Sequence, residues 1–154
     1  MIEEGAAHFM YHYQFYIIVN DVTVTCESGW TPFTHTGQCY KLFRLGRNWA
    51  AARAYCQGIN GGDLASIPDQ ETNELIMSLL PQSGTYWIGG TDAASEGAWQ
   101  WSDGTPWVYT NWRNGQPDNS GGGQHYLFIL GPGEVHGQWS DYEEYREMWS
   151  ICQY

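Results

Sequence analysis

Basic side chains are scarce in this chain. Six Lys and Arg stand against seventeen Asp and Glu, a formal charge of −11 over 154 residues. A phosphate backbone needs a basic face, so the balance argues against nucleic acid as a partner and suits a soluble protein that attracts cations. No run approaches the ~20 apolar residues of a membrane span, and membrane insertion is not expected. The first residues include Glu3 and Glu4 but no basic stretch, and the apolar run Phe15-Tyr16-Ile17-Ile18-Val19 is short, so they do not read as a signal peptide. Among Cys26, Cys39, Cys56 and Cys152 there is no Cys-x-x-Cys pair, which removes the usual metal-ligand and thioredoxin spacings. An even set without such pairs points to two disulfides and an extracellular setting. Three pairings are open, and Cys26–Cys39 with Cys56–Cys152 is the one in which the two loops neither nest nor cross. Enzymatic signatures are missing too. His8, His12, His35, His125 and His136 have no nucleophile or paired base at a sensible spacing, and Gly121-Gly122-Gly123 leads to a strand rather than to a helix that could cradle phosphate.

What is abundant is aromatic and flexible: nine Trp, eleven Tyr and nineteen Gly describe one loop-rich domain with large anchoring side chains. Residues 1–25 form an extension in which Phe9, Tyr11, Tyr13, Phe15 and Ile17 alternate with other residues, the pattern of a β-strand. Such a strand either completes the domain's own sheet or pairs with another copy of the chain. Residues 26–30 and 38–43 read as a hairpin around Thr34 to Gly37. Asn48 can cap a helix from Trp49 to Cys56, ended by Gly58 and Gly61-Gly62. Leu64-Ala65-Ser66-Ile67 reads as a short strand. A second helix runs from about Asp69 to Leu80 before Pro81, and Tyr86 to Gly90 is a buried strand. Thr91 to Gly123 shows little regular pattern, and a loop that long in a compact domain is usually functional. Tyr126–Leu130, Gly137–Ser140 and Trp149–Cys152 are the remaining strands.

Within that loop Gln116-Pro117-Asp118 sets an amide and a carboxylate either side of a proline. Both are hard oxygen donors suited to Ca²⁺, and a proline can hold a cis bond that aims them at one ion.

These pieces, in this order, resemble the C-type lectin-like domain over about residues 26–154. The resemblance rests on Cys26, Cys39-Tyr40, the Trp49-to-Cys56 helix, Leu64-Ala65-Ser66-Ile67, Trp87-Ile88-Gly89-Gly90, Trp99-Gln100-Trp101-Ser102-Asp103-Gly104, Asn111-Trp112, Gln116-Pro117-Asp118, Trp139-Ser140-Asp141 and Ile151-Cys152. It implies an α+β fold, with two helices packed on small antiparallel sheets and a long irregular calcium-binding loop. It further implies the long form of the domain, with a cysteine hairpin at its start and an outer Cys56–Cys152 bond. The family's second disulfide has no counterpart, since Tyr126 and Glu144 occupy its positions.

Carried over residue by residue, the resemblance implies a Ca²⁺ and carbohydrate site at Gln116, Asp118, Gln124, Ser140 and Asp141, the last through its side chain and its carbonyl. Gln-Pro-Asp is similar to the galactose-type tripeptide, and Glu-Pro-Asn to the mannose type. Gln124 stands where Glu is usual and Ser140 where Asn is usual, leaving two carboxylates, which implies weak calcium binding. The usual stacking tryptophan is absent, and His125, Tyr109, Trp107 and His136 are the rings available; Trp99, Trp101, Trp112 and Trp139 read as core. A second, auxiliary calcium position would use Asp92 and Glu96, but Asn119 and His125 replace its other carboxylates, and imidazole argues against a hard cation there.

Two functions compete. One is a secreted, calcium-dependent module for glycans ending in galactose or N-acetylgalactosamine, made multivalent through the N-terminal segment. The other is a structural or adhesive protein of the same fold that binds itself, another protein or a surface.

Overall fold

The computed structural model describes residues 23–133 and 135–154. The aromatic segment from Phe9 to Ile17, with the strand and self-pairing expected of it, lies outside the described residues. In chain order the elements are β1 (Thr31–Phe33), β2 (Gln38–Arg47), α1 (Trp49–Gln57), β3 (Asp63–Leu64), α2 (Gln70–Leu79), β4 (Thr85–Thr91), β5 (Gln100–Trp101), a 3₁₀ turn (Ser120–Gly122), β6 (Tyr126–Leu130), β7 (Trp139–Tyr142) and β8 (Met148–Gln153).

Both helices begin as their capping residues dictate. Asn48 Oδ1 accepts the Ala51 N–H at 2.8 Å, and Asp69 Oδ1 accepts the Thr72 N–H at 2.8 Å. Helix α1 buries Trp49, Ala52 and Cys56, three positions that share one face at helical spacing. The Trp49 indole N–H donates to the Ile88 carbonyl at 2.9 Å, which fastens α1 to β4. Helix α2 buries Thr72, Asn73 and Ile76 and stops before Pro81.

The strands run in the order β1-β2-β8-β4-β6-β7, with β3 added to β8 and β5 to β4. Most pairs are antiparallel, as expected. The difference is at the centre, where β4 and β8 pair in parallel through Tyr86↔Trp149 and Trp87↔Ser150 and join the smaller sheets into one mixed sheet. Gly89 and Gly90 allow this density. A Cβ on Gly90 would meet Leu127 Cδ2 at 2.5 Å, and one on Gly89 would meet the Leu64 carbonyl oxygen at 2.8 Å.

Three strand expectations shift, β7 among them, which begins at Trp139 rather than at Gly137 because Gly137, at φ 74°, turns the chain. The first strand starts at Thr31 rather than at Cys26, because Trp30 N bonds Glu27 O at 3.1 Å and Gly29, at φ 82°, turns the chain. Strand β3 ends at Leu64 because the Ser66 N–H is taken by the Gln153 side chain at 2.8 Å instead of by a strand backbone.

Disulfides join Cys26 to Cys39 and Cys56 to Cys152, closing separations of 13 and 96 residues. Chain-entropy arguments assign about 3 kcal/mol to a loop of the first size and about 4.7 to one of the second. The position that could have held a further bond is filled by aromatic packing. Tyr126 lies against Trp49 with ring centroids 4.7 Å apart, and its phenol pKa is raised by burial and then by the charge of Glu144.

The long segment after β4 is irregular but fastened. Ser102 N bonds Gly89 O, Arg113 N bonds Trp139 O, and Trp139 N bonds Asn111 O, each at 2.8 Å. Trp99, Trp101, Trp107, Trp112 and Trp139 form one cluster beneath it, with successive rings 4.7–6.2 Å apart. Trp139 is fully buried, and its indole N–H reaches Asn73 Oδ1 on α2 at 2.9 Å. Full burial of a large apolar side chain contributes on the order of 1.5–3 kcal/mol, and Trp101 and Trp139 are buried to that extent, while Trp99, Trp107 and Trp112 are half-buried. The helix, β7 and the loop therefore meet at a rigid floor. Among the described residues no helix is long and apolar enough to cross a membrane.

Candidate functional site

The loop bearing the tripeptide folds back onto β7 because a buried carboxylate collects its backbone. The Gln116–Pro117 bond is cis. Asp118 N donates to Asp141 Oδ1 at 3.2 Å and Asn119 N to Asp141 Oδ2 at 2.8 Å. Asn119 takes the left-handed conformation, φ 42°, that short polar side chains tolerate. The turn closes on itself: Ser120 N donates to Asp118 Oδ1 at 3.1 Å and to Gln124 Oε1 at 2.9 Å, while Gln124 N donates to Asn119 Oδ1 at 3.0 Å. On the strand side, Ser140 Oγ donates to Gln116 Oε1 at 2.6 Å. Gln116 and Ser140 thus form one hydrogen-bonded pair, and Asp118, Gln124 and Asp141 share one hydrogen-bonded turn, the two sets being neighbours along the chain at residues 116–118 and 140–141.

The electrostatics here are uneven. Asp141 is 1% exposed and, among the described residues, has no Lys or Arg beside it; its partners are two main-chain N–H groups. The buried Asp63 is different, because Arg53 holds it through contacts of 3.1 and 3.2 Å. A buried carboxylate is costly without a cation or a full set of donors. The side chains of Gln116, Asp118, Gln124, Ser140 and Asp141 all offer oxygens, the chemistry a hard cation takes. A cavity of about 680 Å³ lies elsewhere, lined by residues such as Gln57, Asn60, Asp63 and Gln153, and contains none of these groups.

The remaining sequence-predicted residues lie apart from those five. His125 Nδ1 is 3.0 Å from Asp92 Oδ1 and 3.4 Å from Glu96 Oε2, so its ring belongs with the acidic pair. Trp107 sits in the tryptophan cluster, 4.7 Å from the Trp101 ring. Tyr109 packs edge-on against Trp139 at 5.6 Å, and exposed His136 bonds the Gly133 carbonyl at 2.8 Å. Asn119 bridges the two groups, its Nδ2 donating to Glu96 Oε2 at 2.6 Å. Sequence reasoning missed two contributors. The amides of residues 118 and 119 as donors to Asp141 have no side-chain signature, and Asn73, which holds Trp139, looks like any polar helix residue.

A cysteine hairpin, an outer disulfide from α1 to the last strand, and a long loop carrying oxygen donors above a tryptophan floor together define the C-type lectin-like class. The chain belongs to the C-type lectin family, whose Lectin C-type domain model matches residues 46–154. It is therefore a member of a carbohydrate-binding family that is not enzymatic, one whose domains typically bind Ca²⁺. It is similar to the galactose-specific lectin nattectin of Thalassophryne nattereri, at 37% identity over 112 residues, covering 70% of this chain and 69% of that protein. Among solved structures, the C-type lectin CEL-I from Cucumaria echinata superposes with a TM-score of 0.75 at 25% identity, covering 83% of this chain and 96% of that one. A calcium-independent type II antifreeze protein superposes with a TM-score of 0.76 at 30% identity, covering 86% of this chain and 95% of that one.

Proposed function

We propose that this chain is a secreted, calcium-dependent lectin for glycans ending in galactose or N-acetylgalactosamine. The observation that carries the reading is Asp141: buried, without a cationic side chain beside it among the described residues, and grouped with Gln116, Asp118, Gln124 and Ser140, whose side chains all offer oxygen donors. Those five residues would hold the ion. When bound, Ca²⁺ offers coordination positions that two vicinal sugar hydroxyls take in place of water. The Gln116 amide and the Asp118 carboxylate then orient the hydroxyls by hydrogen bonding, and their galactose-type order supports that sugar class. The similarity to a lectin named as galactose-specific supports it as well. Two carboxylates among five donors place calcium affinity at the weak end, on the order of 10⁻⁴–10⁻³ M. Weak single sites become useful when repeated, and the aromatic segment before residue 26 is the part of the chain proposed to assemble copies. Two disulfides are consistent with an oxidising, extracellular location.

The second reading is an adhesive or structural member of the family that needs no ion. It is favoured by the way the would-be ligand oxygens are already satisfied, Gln116 Oε1 by Ser140 and Gln124 Oε1 by Ser120. The likeness to a calcium-independent antifreeze protein points the same way.

Chromatography separates the two. On immobilised galactose the full chain is expected to be retained in Ca²⁺ and released by chelator, and Asp118→Ala to flow through. Absence of retention, together with a melting temperature unmoved by Ca²⁺, would establish the second reading.

A further inference from the structure

We propose that Asp92, Glu96 and His125 form a separate divalent-cation site that selects a zinc-class transition metal over calcium. Asp92 follows β4 and His125 precedes β6. Pairing of Thr91 with Tyr126 across these antiparallel strands brings the two residues side by side, and Asp92 N bonds the His125 carbonyl at 3.2 Å. Glu96 arrives from the turn beyond β4. One ligand atom from each residue lies within 4.8 Å of the others, with His125 Nδ1 at 3.0 Å from Asp92 Oδ1 and 3.4 Å from Glu96 Oε2. Tetrahedral ligands at zinc bond lengths stand about 3.3 Å apart, so two of these three separations are already close to that edge.

Charge gives a second, independent reason. Asp92 is 1% exposed, and among the described residues neither it nor Glu96 has a Lys or Arg partner. A single imidazole N–H faces two carboxylates and can bond only one of them at a time. The carboxylates are also held in position from outside: Gly97 N donates to Asp92 Oδ2 at 2.8 Å and Asn119 Nδ2 to Glu96 Oε2 at 2.6 Å. Outer hydrogen bonds of this kind orient ligands in metal sites.

The identity of the ion follows from the donors. Calcium takes six to eight oxygens, whereas imidazole with two carboxylates suits zinc and leaves a fourth position for water. Glu96, 57% exposed, and His125, 30% exposed, leave that position open to solvent. Through Asn119 a cation here would brace the turn that donates to Asp141, whether or not that turn binds sugar.

The test is calorimetric titration of the metal-stripped full chain with ZnCl₂, repeated with CaCl₂ and with Co²⁺ followed by visible absorption. One zinc equivalent is expected, lost or weakened about tenfold or more in both His125→Gln and Glu96→Gln. It is expected to survive Asp118→Ala and about a hundredfold excess of calcium. Cobalt should give a d–d band that His125→Gln abolishes, and His125→Glu, an all-oxygen set, should turn the preference toward calcium. Melting temperatures in chelator, matched to the parent, separate lost binding from lost fold. Zinc isotherms unchanged in both Gln variants would assign the metal to other histidines such as His8 and His12 and overturn the proposal. Absence of a zinc equivalent, or equal competition by calcium, would overturn it as well.

Discussion

The Asp141 carboxylate on β7 accepts the main-chain N–H of Asn119 at 2.8 Å, a contact that spans 22 residues of chain. Its other oxygen takes the Asp118 N–H, so one buried side chain anchors the whole turn after the cis proline. Asp141→Ala is expected to destabilise the calcium-free protein by roughly 2–5 kcal/mol, since hydrogen bonds to a charged group contribute about 1.5–3 each. Asp118 is exposed and, among the described residues, accepts only from Ser120 N, so Asp118→Ala should cost about 1 kcal/mol or less. Urea unfolding in chelator measures both, and equal losses would contradict the anchoring role.

Specificity is expected to follow the order of amide and carboxylate around Pro117. The double variant Gln116→Glu, Asp118→Asn keeps one of each and so preserves the charge that sets calcium affinity. Retention should move from immobilised galactose to immobilised mannose. A double variant that still prefers galactose would show that the tripeptide does not set the choice.

His35 in the β1–β2 turn clamps the start of α2, with Nε2 2.8 Å from Asp69 Oδ2 and Nδ1 3.2 Å from Glu71 Oε2. The Asp69 hydrogen bond raises the His35 pKa against the opposing effect of burial. Burial alone would push Asp69 up, but bonds from the Thr72 N–H and hydroxyl, and then from His35, bring it below its ordinary value. The His35 contribution is complete below about 6.5 and fades as pH rises through its raised value. That of Asp69 is complete above about 3.9 and fades as pH falls through its lowered value. Both overlap between about pH 4 and 6.5. His35→Gln should flatten the alkaline fall in melting temperature and leave part of the acid limb, which Thr72 maintains. An unchanged alkaline limb would refute the clamp.

Asn73 on α2 accepts the buried Trp139 indole N–H and donates to the Gly137 carbonyl at 3.1 Å. Asn73→Ala strands that N–H, at a cost of about 1–3 kcal/mol. Chemical unfolding followed by tryptophan emission reads the loss, and a change below a few tenths of a kcal/mol would mean that the contact is idle.

Local chemistry made much of the frame legible. Asn48 announces the first helix, because a capping side chain acts within three residues of itself, and the second is legible in its apolar spacing and Pro81. Trp99, Trp101, Trp112 and Trp139, read as core, do meet in one cluster. Where strand limits shifted, the cause lay far along the chain: Gln153 takes the Ser66 amide across 87 residues, and no local pattern carries that. Trp107 shows the same limit. Beside Pro106 in a loop it reads as equally fit for a ligand or for the floor, and contacts with Trp99, Trp101, Trp112 and Trp139 place it in the floor.

By itself the sequence determined the Asn48 helix cap, the oxygen-donor tripeptide and the family resemblance, since these depend on residue type and short spacing. Tertiary structure alone decided what lies beside what. It brought Asp141 beneath the turn at residues 118–119 and put Asn73 under Trp139; of the two places the sequence left open for His125, a sugar-stacking ring or the position beside Asp92 and Glu96, it chose the second. The reason is that strand pairing and burial act across 22 to 66 residues, and only the folded chain brings those groups within hydrogen-bond reach.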